Sequence, residues 1–115
     1  MKIRISLLSL LAVATCRAGE INPAYASKVA DAIRLAENSQ AHPYGVLAHY
    51  RHTSPRQACL NTVRHAYRDW QAGGSAGDFI SFLGKRYAPI GANNDPMGLN
   101  RNWTRNVGSL LRRGD

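Results

Sequence analysis

Residues 30–45 read ADAIRLAENSQAHPYG, and this stretch decides how the rest of the chain is organised. It begins as the apolar-faced end of a helix and carries Glu37 into the polar turn Asn38-Ser39-Gln40. The turn continues into His42-Pro43-Tyr44-Gly45, whose proline prevents the helix from extending much further. We therefore expect a helix that ends near Asn38, followed by an irregular loop.

Glu37 is the first candidate for chemistry, because the sequence contains only one other glutamate, Glu20. A general acid needs a carboxyl group held against apolar surface, so that its protonated form persists at neutral pH. Ile33 lies one turn earlier on the same helix face and provides such surface. A carboxylate at a helix C-terminus also faces the unfavourable end of the helix dipole. An exposed helix-end glutamate without a special role is the alternative.

This arrangement resembles the lysozyme-like superfamily of peptidoglycan-cleaving enzymes, in which a glutamate closes the first long helix and a short segment with serine, glycine and tyrosine follows. The resemblance widens over residues 58–70 (ACLNTVRHAYRDW), 78–91 (DFISFLGKRYAPIG) and 94–103 (NDPMGLNRNW). Together these blocks look like a small family of phage-related bacterial proteins. The resemblance implies a small, single-domain, all-α lysozyme-like fold with Glu37 as the catalytic residue and the glycan strand of peptidoglycan as the substrate.

The loop after Glu37 is a candidate for the wall of a substrate cleft. The resemblance implies that Ser39, Tyr44 and Gly45 contact the sugar, because residues after the catalytic glutamate do so in related enzymes. The alternative is a turn serine, a packed loop tyrosine and a turn glycine.

A second candidate binding segment lies between residues 93 and 103, where asparagine and aspartate are dense. Amide and carboxylate groups beside an aromatic ring suit sugar hydroxyls, so we predict that Asp95, Asn100 and Trp103 bind substrate. The alternative is that these asparagines and this aspartate form turns and helix caps. Asp95 is also the best second carboxylate for a hydrolase, whereas a lytic transglycosylase needs only one glutamate. Because Asp95-Pro96 is typical of a turn, the transglycosylase is favoured slightly.

The first 18 residues predict a secretory signal peptide. A basic start, residues 1–4, precedes an apolar run over residues 5–14, and small residues permit cleavage after Ala18. The run is too short to span a bilayer. The mature domain would then be residues 19–115, exported to the periplasm or the exterior. Lipidation at Cys16 and an uncleaved, membrane-arrested signal are the alternatives.

The charge of the chain favours an anionic partner. Of its 15 lysines and arginines, Lys2, Arg4 and Arg17 lie in the predicted signal, which leaves 12 cations against 7 acids in the mature chain. A positive exported protein suits the anionic cell wall, although the charge could serve solubility alone. Export argues against nucleic acid as the partner, and we expect membrane contact only through the signal peptide and a monomeric protein.

Histidines and cysteines predict no metal or cofactor. The spacing of His42, His49, His52 and His65 matches no strong zinc pattern. Cys59 is the only cysteine after residue 18, so no intramolecular disulfide can form, and its place on an apolar stripe predicts a core residue.

Helix-boundary signals predict four helices and two irregular loops, over residues 39–54 and 90–98. The starts carry capping residues or prolines, at Asn22-Pro23, Ser54-Pro55, Ser75 to Asp78 and about Asn100. The ends are marked by Asn38, Gly73-Gly74, Pro89 and Arg112. A short hairpin near Gly45 would fit within the first loop.

The sequence therefore predicts an exported peptidoglycan-cleaving enzyme, either a lytic transglycosylase or a lysozyme-like hydrolase. The alternative is a non-catalytic cell-wall-binding or secretion-accessory protein with the same helical scaffold. The two functions differ in their demand on Glu37, because only the enzyme needs this carboxyl group in a cleft.

Overall fold

A computed structural model of the protein describes residues 19–91 and 97–114. Its regular structure within these ranges consists of α1 (Pro23–Glu37), α2 (Pro55–Ala72), α3 (Phe79–Tyr87) and α4 (Trp103–Arg113). Short 3-10 turns occur at Pro43–Gly45 and Leu99–Asn102. No strand is present in the described residues, so the predicted all-α fold with four helices is confirmed. The prediction of a short hairpin near Gly45 is wrong, because a 3-10 turn occupies that position.

Two sequence predictions fall outside the described residues. The signal peptide, residues 1–18, is one, and the candidate carboxylate Asp95 is the other. Within the described ranges, every helix is too short or too polar to cross a bilayer.

Capping side chains begin three of the helices at the positions that the sequence indicates. The Asn22 side chain accepts a hydrogen bond from the Ala24 N–H at 2.8 Å, and the Ser54 hydroxyl accepts one from the Gln57 N–H at 3.1 Å. The start of α3 was predicted within Ser75 to Asp78, and the structure identifies Asp78 as the cap. Its carboxylate accepts the Ser81 N–H at 3.1 Å. These caps satisfy N–H groups that would otherwise lack an intrahelical partner.

The last helix begins later than predicted. Residues 99–102 form a 3-10 turn, and α4 begins at Trp103 rather than near Asn100. Gly98 precedes the turn with φ 69°, a conformation that glycine adopts without steric cost. This turn places Trp103 at the N-terminal end of α4.

All four helices contribute fully buried apolar side chains to one core. The largest are Val29, Ile33, Cys59, Val63, Leu83 and Val107. Each side chain of the valine or leucine type stabilises the fold by about 1.5–3 kcal/mol when it is removed from water. Cys59 is fully buried, as its place on the apolar stripe of α2 predicts.

A close approach between α3 and α4 fixes the position of Trp103. Gly84 of α3 is buried, and a Cβ atom there would lie 2.6 Å from the Thr104 hydroxyl oxygen and 3.2 Å from the Trp103 ring. Because these distances are shorter than normal van der Waals contact, a side chain at position 84 would force Thr104 and Trp103 to shift. The indole is thereby held against the end of α3.

Candidate active site around Glu37

Glu37 is the last residue of α1 and is half-buried. The indole Nε1–H of Trp103 donates a hydrogen bond to its Oε2 atom at 2.9 Å, across 66 residues of sequence. Trp103 is only 7% exposed, so the donor comes from a ring that is packed in the core. A hydrogen bond from a buried, rigid donor fixes the orientation of the carboxyl group.

Gly45 is the second residue that contacts this carboxyl group. A Cβ atom at Gly45 would lie 2.8 Å from Glu37 Cδ and 2.9 Å from Oε1, which is closer than any side chain can come. The residue also has φ 70°, in the left-handed region that favours glycine. The backbone conformation therefore favours glycine, and a side chain at position 45 would displace the Glu37 carboxyl from this position.

Tyr44 anchors the loop that carries Gly45. It is buried and has φ 61°, an uncommon conformation for a residue with a side chain. Its hydroxyl accepts a hydrogen bond from Arg56 at 3.1 Å. The same guanidinium donates to Asp31 and Ser27 of α1, each at 2.8 Å. Arg56 thus ties the loop to α1 and compensates for the strained backbone of Tyr44.

Tyr87, at the end of α3, contacts both Trp103 and Tyr44. Its ring stacks on Trp103, with centroids 5.4 Å apart and an interplanar angle of 24°. Its hydroxyl donates a hydrogen bond to the backbone carbonyl of Tyr44. One side chain therefore links the indole that donates to Glu37 with the residue that precedes Gly45.

The surroundings of Tyr87 keep its hydroxyl protonated. Burial is the main cause that raises the pKa of this phenol above its ordinary value, and the neighbouring Cys59, Glu37 and Tyr44 raise the pKa further. Burial also raises the pKa of the Cys59 thiol. Tyr87 therefore remains a hydrogen-bond donor to the Tyr44 carbonyl throughout the neutral pH range.

The structure brings together three of the predicted site residues, namely Glu37, Gly45 and Trp103, with Tyr44 directly behind them. Trp103 is so deeply buried that little of its ring is open to a sugar, and its geometry favours orienting Glu37. Whether Tyr44, Gly45 and Trp103 also contact substrate stays a prediction.

The other predicted binding residues have structural partners. The Ser39 hydroxyl accepts the His42 N–H at 3.0 Å, which closes the turn after α1. The Asn100 amide donates to the Pro89 carbonyl at 3.0 Å. Asn100 lines a groove with Ile90 and Thr104, and Glu37 is not among that groove's lining residues. Sugar binding by Ser39 and Asn100 stays a prediction, as does any role for Asp95.

Sequence reasoning missed Tyr87 and Arg56 as parts of this site. Tyr87 carried a signal only for burial, as the last apolar residue on the inner side of α3. Arg56 follows the proline that opens α2, and nothing in the sequence distinguishes it from the other arginines. Both act through contacts between segments that are distant in sequence.

The chemical group that this site provides is one oriented carboxyl group, that of Glu37. Within residues 19–91 and 97–114, no three histidine, cysteine, aspartate or glutamate side chains are grouped closely enough to hold a metal ion. A carboxyl group with one oxygen bound by an N–H donor can give or take a proton through its other oxygen.

No protein-family model matches the chain, and no curated protein or solved structure matches it significantly. Function is therefore inferred from the residues around Glu37.

Proposed function

We propose that this protein is an exported enzyme that cleaves the glycan strand of peptidoglycan, with Glu37 as general acid and base. The observation that carries the proposal is the half-buried Glu37 carboxyl at the end of α1, which accepts the Trp103 indole N–H at 2.9 Å and packs on Gly45. An ordinary glutamate at a helix end needs neither support. A proton-transfer group needs both, because its effect depends on orientation.

The two carboxyl oxygens of Glu37 have different neighbours and therefore different roles in the proposal. Oε2 accepts the indole N–H, and Oε1, which lies beside Gly45, is the atom to which the proposal assigns the transferable proton. Protonation of the glycosidic oxygen lets the bond between that oxygen and the sugar C1 break, as positive charge develops on the ring. The Glu37 carboxylate then removes the proton from the C6 hydroxyl of the same sugar. That oxygen bonds to C1 and closes a 1,6-anhydro ring without water.

A single-carboxylate mechanism is favoured because the described aspartates have other partners. Asp31 pairs with Arg56 at 2.8 Å and Asp69 pairs with Arg86 at 2.7 Å. Asp78 caps α3. A hydrolase needs a second carboxylate to act on water or on the intermediate. The lytic transglycosylase is therefore the preferred form of the proposal, and hydrolysis would require a second acid such as Asp95.

The second candidate function is non-catalytic binding to the cell wall or accessory action in secretion. Its support is the surplus of arginine and lysine over acidic residues, which suits an anionic polymer. This function leaves the supports around Glu37 without a purpose, so it ranks second.

Replacement of Glu37 by glutamine tests the proposal, with Glu20→Gln as the matched control on the only other glutamate. The amide keeps the size of the side chain and can still accept the indole N–H, but it cannot serve as an acid. We expect Glu37→Gln to lower the release of soluble fragments from purified peptidoglycan by about two orders of magnitude or more. Its melting temperature should stay within about two degrees of wild type, and Glu20→Gln should behave like wild type.

The same samples distinguish the two candidate functions by sedimentation with insoluble peptidoglycan. Cleavage that depends on Glu37 supports the enzyme. Wild-type protein that sediments with the wall but releases nothing, with equal binding by Glu37→Gln, would establish the wall-binding function instead.

A further inference from the structure

A groove of about 230 Å³ adjoins the residues that hold Glu37. It runs along the loop from Gly45 to Tyr50 and is closed by Ala58 and Thr62 of α2 and by the end of α3. Gly45 and Tyr87 line this groove and also contribute to the surroundings of Glu37. Gly45 packs on the Glu37 carboxyl, and Tyr87 stacks on Trp103. A molecule in this groove would therefore lie against two residues that also support the proposed acid.

Two large apolar side chains of the groove are open to solvent. Leu47 is 61% exposed and Tyr50 is 56% exposed. A single exposed apolar residue needs no explanation, but two that line the same concave surface indicate a place for a ligand. Tyr50 offers a flat ring with a polar hydroxyl at its tip, which suits a ligand with both apolar and polar surface.

Arg86 supplies a fixed hydrogen-bond donor at the same groove. Its guanidinium pairs with Asp69 at 2.7 Å and lies 5.1 Å from the centroid of the Phe82 ring. These two contacts limit the motion of a side chain that is otherwise flexible. A guanidinium has more N–H donors than one carboxylate accepts, so donors remain for a ligand oxygen.

We infer that this groove binds an N-acetylated sugar ring of the glycan strand, with Tyr50 as the stacking surface and Arg86 as a donor to sugar oxygens. The inference rests on the proposed function, because the glycan strand is the polymer expected at Glu37. A pyranose ring presents an apolar face of C–H groups that packs on an aromatic ring, and a rim of oxygens that accepts hydrogen bonds. The volume suits a subsite for part of the strand rather than a cleft for all of it.

The position of the groove gives this subsite a purpose in cleavage. A sugar stacked on Tyr50 would lie in a groove that Gly45 lines, and Gly45 also packs on the Glu37 carboxyl, which is not itself a lining residue. Binding energy gained on this ring would hold the glycan strand next to the residue that packs on Glu37. Loss of the ring should therefore weaken glycan binding without changing the support of Glu37 by Trp103.

The test measures binding of chitotetraose, the neutral β-1,4 tetramer of N-acetylglucosamine, by titration calorimetry. Tyr50→Ala should weaken the affinity about ten-fold, which corresponds to the loss of one ring contact. Tyr50→Phe should bind like wild type, because the ring is retained. Tyr25→Ala is the matched control, since Tyr25 is also partly exposed and lines a different groove with Asp78 and Arg105.

The measurements are made on wild type and repeated in the Glu37→Gln protein, so that the subsite and the enzyme are judged separately. Weaker binding by Tyr50→Ala in both backgrounds supports the subsite, whether or not peptidoglycan is cleaved. Equal affinity of Tyr50→Ala and wild type, or no chitotetraose binding by wild type, would overturn it. Cleavage that depends on Glu37 would leave the proposed function intact in either case.

Discussion

Trp70 and Trp103 each contact a tyrosine ring, but their indole N–H groups have different partners. Trp70 lies with Tyr67 and Phe79 in the Trp70 cluster, whose ring centroids are 5.1–5.5 Å apart. Its N–H donates to the backbone carbonyl of Ala76 at 3.1 Å. Trp103, Tyr87, Gly45 and Glu37 form the Trp103 cluster, in which the N–H donates to a carboxylate oxygen at 2.9 Å.

The difference separates packing from the positioning of the proposed general acid. A half-buried indole needs an acceptor, and a nearby backbone carbonyl satisfies it at no cost in charge, as at Trp70. Trp103 instead binds a half-buried carboxyl group at the unfavourable end of a helix dipole. Stability alone does not call for this arrangement. The two clusters and their neighbouring turns therefore predict different responses to equivalent substitutions.

The largest contrast is expected between Gly45→Ala and Gly74→Ala. Both glycines have positive φ, 70° and 92°, but a Cβ atom at Gly74 meets nothing within 4 Å. Gly74→Ala should cost about 1 kcal/mol of stability from backbone strain, with activity unchanged. Gly45→Ala adds a clash with the Glu37 carboxyl, so peptidoglycan cleavage should fall about 100-fold. Thermal melts and fragment release measure the pair. Full activity in Gly45→Ala would show that the carboxyl position is unimportant.

An intermediate contrast is expected between Trp103→Phe and Trp70→Phe. Each variant keeps an aromatic ring but loses the N–H donor. Trp70→Phe should lower the free energy of unfolding by about 1 kcal/mol and leave cleavage unchanged. Trp103→Phe should lower the cleavage rate about ten-fold or more, because it removes the N–H donor that orients Glu37. Equal rates for the two variants would remove the distinction between the clusters.

The smallest contrast is expected between Tyr87→Phe and Tyr67→Phe at alkaline pH. Burial raises the pKa of Tyr87, so the unfolded state ionises first as pH rises above 10. Below pH 10 the Tyr87 phenol keeps its proton in both the folded and the unfolded state, so it does not change stability. Above pH 10 its ionisation in the unfolded state lowers the free energy of unfolding by at most about 1.4 kcal/mol per pH unit. Tyr87→Phe should reduce this fall.

Urea denaturation at a series of pH values between about 8 and 11 measures the effect. The Cys59 thiol and the Tyr25 phenol, whose pKa values are also raised, contribute to the alkaline loss in every variant. Tyr67→Phe is the control, because it keeps the Tyr87 hydroxyl and should therefore retain the loss that Tyr87 contributes. An identical pH dependence for Tyr87→Phe and wild type would show that the Tyr87 hydroxyl is not held as the structure describes.

Local signals predicted most of the fold. Asn22, Ser54 and Asp78 cap helices because their side-chain oxygens lie next to free N–H groups within a few residues. The start of α4 was predicted too early. The interval at residues 99–102 forms a 3-10 turn whose hydrogen bonds depend on Gly98, and helix periodicity alone does not distinguish this turn from an α-helix.

Only those residues of the candidate site that lie close together in the sequence could be predicted from it. Glu37 and Gly45 lie eight positions apart in sequence, so one stretch indicated both. Trp103 was predicted near the sugar, but its hydrogen bond to Glu37 depends on how closely α3 approaches α4 at Gly84. The contact of Tyr87 with Tyr44 likewise depends on packing across the core. A single sequence contains no local signal for such contacts.

Mass spectrometry of the products that wild-type protein releases from purified peptidoglycan shows whether Glu37 acts as the single catalytic carboxyl group. Proton donation by Glu37 without a second carboxylate predicts soluble fragments with 1,6-anhydro ends, and these fragments should be absent from Glu37→Gln digests. Fragments with reducing ends would show that a second acid, such as Asp95, assists hydrolysis. Protein that binds the wall and releases no fragment at all would contradict the assignment of Glu37 as a catalytic acid.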